Sequence, residues 1–380
     1  MAFAPIIDRM TSFKFAGFSF FVTAFPAFIF AFLYLKNFKL FKKSHHLLLA
    51  FNLAFFLLII LSRYASYGEF SGKTLGSQSY IFLLPICIIL FTSLKISERN
   101  RRFLYYLFTS ILIFNFTIAS LYILGLPTIQ ITDTNSPDYS EFGRFTGIMG
   151  GANVQGNFIS LIFMILALGT FNLKLYKIFF LFIISLIAVI PTLSKNSIFG
   201  IIFIFMYTVY EHFKTSNLSA KIILILTILL VINLFTFWLN LSAFDVYYKS
   251  FIARLYYSDI SGVRLEKLYY AITTLTSDIN HILFGIPSKF QQNSFISISD
   301  NSLTLLLAGF GIPFTLFFSF FIINLIKDKI IINKKIIIYA ILTSVILLTN
   351  NAILWLPWIS YAILGYCLLK TDIEIVDSNK

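Results

Sequence analysis

Asp300 and Asn301 open the segment ISDNSLTLLLAGFGI at 298–312, at the edge of a run that is otherwise hydrocarbon. A carboxylate there is either the N-cap of the following helix or a base whose pKa partial desolvation would lift into a useful range. A second polar group, GRFTGIMGGANVQGN at 143–157, joins Arg144 to a spread of glycines and to Asn153, Gln155 and Asn157. Such glycines either let helices touch or bring backbone N–H groups close to a ligand. Lys195, in TLSKNSIFG at 192–200, is either an anion-binding cation or a snorkelling interfacial lysine. Arg254, Arg264, Glu266 and Lys267 share one long stretch. Two guanidinium forks beside a membrane suit a diphosphate as well as anionic headgroups. His281, in SDINHILFGIP, is a lone histidine near an expected helix end and reads as structural. No set of histidines or acids has metal-ligand spacing, and no phosphate-cradling loop or dinucleotide fingerprint is present, so neither metal nor cofactor is expected.

The elements that must position these groups are membrane helices. The chain has 380 residues, 58% hydrophobic and only 12% charged, about half the charged share of a soluble domain. Apolar runs at 13–35, 47–61, 79–94, 103–124, 147–170, 177–191, 197–210, 220–241, 301–326, 336–350 and 352–369 predict about eleven (10–12) spans, the shorter ones completed by flanking polar residues. The fold class is therefore an all-α integral membrane bundle, a single polytopic domain over 1–380. Cys87 and Cys367 both fall in apolar runs and imply no disulfide framework. The N-terminus lacks a basic region followed by a small-residue cleavage site, so no removed signal peptide is expected.

Charge sets the orientation. The net charge of +13 would suggest nucleic acid in a soluble protein; here it is concentrated in alternate connectors, and no nucleic-acid partner is expected. Lys36, Lys39, Lys42 and Lys43, then Lys95, Arg99, Arg101 and Arg102, then Lys174, Lys177, Lys214 and Lys221, then Lys327, Lys329, Lys334, Lys335, Lys370 and Lys380 all fall on one side of the eleven-span scheme. That side is cytoplasmic, which puts the N-terminus outside. The opposite side carries two long connectors, 125–146 and 242–300, and loops of this length usually carry function. Within the second, Leu265, Leu268, Tyr269, Ile272 and Leu275 recur at helical spacing and predict an amphipathic helix along the outer membrane boundary.

In order, these motifs resemble the O-antigen polymerase and ligase superfamily, integral membrane glycosyltransferases of the Wzy type. The pattern runs from Arg-x-x-Gly leading to Asn153, through Ser194-Lys195, to Ser261-Gly-x-Arg264 opening a helix in the large loop. It continues with Phe284-Gly-x-Pro287 and ends with Asp300-Asn301 before Gly309-x-Gly-Ile312, covering roughly 140–325. Ligases of the superfamily have His-Asn where this chain has Asp300-Asn301, which favours a polymerase. The turn at 194–195 departs too: Ser-Lys stands for the usual Ser-Arg, keeping the charge and losing the fork. The resemblance implies a GT-C-like helical fold in the bacterial inner membrane with its active site facing the periplasm. It implies an undecaprenyl-diphosphate-linked glycan as substrate, contact with membrane lipid and a chain-length regulator as partner. Asp300, Arg264 and Arg144 would then be catalytic, with Lys195, Arg254, Asn153, Asn301 and Lys267 binding the diphosphate and glycan. Ligation to lipid A-core and flipping of lipid-linked oligosaccharide are the competing expectations.

Overall fold

Where the structure describes them, the apolar runs are helical, as a chain with no water to satisfy its backbone requires. The computed structural model describes residues 43–68, 85–86, 89, 96–129, 144–149, 151–168, 171, 173–215, 233, 269–287, 302–327, 334–349 and 361–369, and among them there is no strand. The helices are α1 (Lys43–Tyr67), α2 (Glu98–Ile123), α3 (Ala152–Leu168), α4 (Leu175–Val189), α5 (Lys195–Thr215), α6 (Ile279–Phe284), α7 (Ser302–Lys327) and α8 (Lys334–Thr349). Residues 269–276 and 361–369 are helical as well. Among the described residues, four segments are long and apolar enough to cross a membrane: Lys43–Tyr67, Glu98–Ile123, Leu175–Thr192 and Leu306–Asn324. The expected span at 13–35, most of 79–94 and 220–241, and the first half of 352–369 lie outside the described residues.

Several boundaries shift for local reasons. α2 begins inside the charged connector because Ser97 caps it, accepting from the Asn100 N–H at 3.3 Å. Glu98 in the first turn faces Arg101 and Arg102 one turn on, at 3.7 and 3.5 Å. The span expected from 147 starts as a helix only at Ala152, because Gly147–Met149 forms a separate 3-10 turn.

α1 has the inverted distribution that lipid favours. Its buried stripe is Asn52, Phe56, Ile59 and Arg63, so two of its polar residues face inward. Leu47, Phe51, Leu57, Leu58 and Leu61 face outward. Such a wide leucine surface would be an aggregation hazard in water and is ordinary against acyl chains.

The chain divides into two compact units, one formed by residues 1–95 and 259–380, the other by 96–258. In the second, α3 is the central helix, packed by α2, α4 and α5. Phe158, Leu161, Ile162, Phe163 and Leu166 are all fully buried, as the central helix of a bundle demands. Phe182 of α4 stacks on Phe205 of α5 with ring centroids 4.0 Å apart.

In the first unit, α1 lies against α7 through aromatic contacts of Phe55 and Phe56 with Phe310, Phe314 and Phe317. α7 falls in the span expected over 301–326 and carries a break that the span did not predict, with Gly311 at φ 80°, ψ 177° and Pro313 two residues on. Of the predicted amphipathic helix, Leu265 and Leu268 lie outside the described residues; 269–276 is helical, and its buried side is Ala271 and Leu275, which join Ile286 and Ala308 in a small core. Tyr269 and Ile272 of the expected stripe are exposed.

Candidate functional site

Two segments that stood apart in the sequence, 143–157 and 192–200, meet at one end of the α2–α5 bundle. Arg144 precedes the 3-10 turn and is 1% exposed. Its Nε donates to the Thr192 carbonyl at 3.0 Å and its Nη2 to Asn153 Oδ1 at 2.7 Å. Next to it, the Phe145 N–H donates to the Pro191 carbonyl at 2.9 Å. The guanidinium thus ties the loop before α3 to the turn before α5.

That turn is built by its own polar atoms. A 3-10 turn, Ile190–Thr192, holds Pro191, and Leu193 follows in the left-handed region at φ 52°, costly for a residue with a Cβ. Thr192 Oγ1 donates to the Val189 carbonyl at 2.7 Å and accepts from the Ser194 N–H at 3.2 Å, which holds the turn closed. Ser197 Oγ donates to Asn157 Oδ1 at 2.9 Å. Its single proton is then committed, so in the 2.8 Å contact between Ser194 Oγ and Ser197 Oγ, Ser194 is the donor. Gly156 makes the approach possible: a Cβ there would lie 2.7 Å from Ser194 Cβ and 2.8 Å from Ser197 Oγ. Lys195, half-buried, is the first residue of α5, and Asn153 sits in the first turn of α3.

Deeper in this unit, Gln155 Nε2 donates to Asn115 Oδ1, and Asn115 Nδ2 donates to the Ile111 carbonyl at 2.8 Å. The Gln155 amide occupies the space a side chain on Gly147 would need, and Gly147 has φ 53°. Gln155 Oε1 is buried without a hydrogen-bond partner among the described residues.

In the other unit, two more of the quoted motifs come together. The 284–287 turn packs on the break of α7, where the Ile286 N–H donates to the Ala308 carbonyl at 2.7 Å. Gly285 (φ 86°) and Gly311 (φ 80°) are mutual necessities: a Cβ on the first would lie 2.7 Å from Ala308 O, and one on the second 2.6 Å from Ile282 O. Arg63 of α1, 6% exposed, donates to the carbonyls of Phe284 (3.4 Å), Ile286 (3.1 Å) and Gly309. Tyr67 OH donates to the Gly285 carbonyl at 3.3 Å. His281 is buried at the end of α6, with Nδ1 2.8 Å from the Thr274 carbonyl, which fits the structural role expected of it.

Of the expected site residues, Arg144 and Asn153 are brought into direct contact and Lys195 opens the helix that follows the turn they hold. Arg254, Arg264, Lys267, Asp300 and Asn301 lie outside the described residues. Arg63 and Asn115 were missed. The available signal was an ionisable or amide group within or just after an apolar run, which is costly in a membrane and so carries information. Among the described residues, no three His, Cys, Asp or Glu side chains are grouped to hold a metal ion. Comparison with models of protein families, with curated proteins and with solved structures gave no match.

Proposed function

We propose that this chain is a membrane glycosyltransferase that joins undecaprenyl-diphosphate-linked repeat units into O-antigen or a related surface polysaccharide on the outer face of the inner membrane. The observation that carries the proposal is the polar head of the α2–α5 bundle, where the segment of Arg144 and Asn153 meets that of Ser194 and Lys195. A preorganised cationic head of this kind stabilises charge building on a leaving diphosphate. In the proposed reaction an acceptor hydroxyl oxygen attacks the donor's anomeric carbon and the bond from that carbon to the diphosphate oxygen breaks. Undecaprenyl diphosphate leaves with the bonding pair, and the hydroxyl proton passes to the Asp300 carboxylate. Arg254, Arg264 and Lys267 are proposed to add to the cationic lining, and Asn301 to bind the glycan. Because Arg144 is buried and engaged, its part is to fix Asn153 and the 192–195 turn, leaving Lys195 as the more accessible cation.

The test is reconstitution: purified protein with lipid-linked repeat units yields longer glycans without a second compartment, and Asp300→Asn and Arg264→Ala abolish them at normal protein levels. Deletion in the producing cell leaves core plus one repeat unit; bare core would indicate a ligase. The broken helix α7, with a buried arginine at the break, favours a second reading, transport of lipid-linked oligosaccharide. Movement of substrate between leaflets without elongation would select it.

A further inference from the structure

The break in α7 strips two carbonyls of their helical partners. Ala308 O would accept from the N–H of residue 312, which the Gly311 conformation turns away, and Gly309 O would accept from residue 313, a proline without an N–H. Both are satisfied from elsewhere, by the Ile286 N–H and by Arg63 Nη1. The successive carbonyls of 284, 285 and 286 also accept from the last turns of α1, through Arg63 and Tyr67. A planar guanidinium serves several carbonyls spread around it, whereas an ammonium offers a single point of charge.

We propose that Arg63 is a positioning residue: its guanidinium fills a cradle of main-chain carbonyls and thereby pins together the 284–287 turn and the first half of α7. The chain between those two anchors, 288–301, is the stretch that carries Asp300 and Asn301. Holding its ends together removes much of the entropy of bringing those residues to a fixed place. The functional half of this inference rests on the glycosyltransferase proposed above; the clamp itself rests on the geometry alone.

The experiment uses full-length protein in nanodiscs and the variants Arg63→Ala and Arg63→Lys. Amide hydrogen exchange at Ile286 is expected to accelerate by about tenfold or more in Arg63→Ala, with Phe145 and Leu193 in the other unit unchanged. Elongation of lipid-linked repeat units is expected to lose kcat by a similar factor with KM little altered. Guanidinium ion at millimolar concentration restores both readouts in Arg63→Ala, sodium chloride at equal ionic strength restores neither, and Arg63→Lys is intermediate. Unchanged exchange at Ile286 in Arg63→Ala overturns the clamp. Accelerated exchange with undiminished kcat overturns the positioning role. If wild-type protein does not elongate, the glycosyltransferase proposal falls while the exchange arm still decides the clamp.

Discussion

Gly309 and Gly311 stand two residues apart in one Gly-Phe-Gly motif, and the structure gives them opposite requirements. Gly311→Ala places a methyl group 2.6 Å from Ile282 O, Leu283 C and Leu283 O, all backbone atoms with no side chain to swing aside. It also forces a Cβ onto φ 80°, ψ 177°, a conformation nearly confined to glycine, at about 1–3 kcal/mol. Crowding in a packed interior adds about 1–3 kcal/mol. The sum, about 2–6 kcal/mol, is a large part of the roughly 5–15 kcal/mol that keeps a domain folded. Gly309→Ala meets nothing within 4 Å and, being helical, gains up to about 1 kcal/mol of helix propensity. Buried Cys367 supplies the assay. In a Cys87→Ser background, a maleimide that fluoresces on reaction reports unfolding during a thermal ramp in detergent. Gly311→Ala should melt about 5–20 °C lower and Gly309→Ala at or above the parent temperature. Equal losses in the two variants, or none in Gly311→Ala, would refute the assignment of the break to position 311.

Other expectations are tested in the same way. Gly156→Ala drives a methyl group into Ser194 and Ser197 and should lower stability by about 1–3 kcal/mol, with part of the loss relieved by pairing it with Ser194→Gly, which removes the nearest clashing atom. Arg144→Met removes the donors to Thr192 O and Asn153 Oδ1 and should cost about 3 kcal/mol or more, with Arg144→Lys restoring part of it in the same melting assay. In a cysteine-free background, Lys195→Cys should react with an impermeant maleimide in intact spheroplasts and Lys214→Cys only after permeabilisation, because they lie at opposite ends of α5. Reaction of both from outside would undo the orientation.

Much of the architecture was legible from the order of residues alone. Apolar runs at 47–61, 103–124, 177–191, 197–210 and 336–350 all contain helices, because a backbone surrounded by hydrocarbon must satisfy itself locally. The polar groups worth following at 143–157 and 192–200 could also be chosen by type, since each is costly in that setting, while the apolar turns at 284–287 and 309–312 stood out through the family resemblance alone. Their pairing could not. That Arg144 would reach Thr192, 48 residues away, or Arg63 reach Gly309, 246 away, depends on which helices pack side by side. Periodicity describes one helix at a time and carries no record of its neighbour. The break in α7 belongs with these, since Gly-Phe-Gly-Ile-Pro permits several conformations. Only the carbonyls of 282 and 283, the Ile286 N–H and the Arg63 guanidinium, arriving from elsewhere in the chain, select one of them.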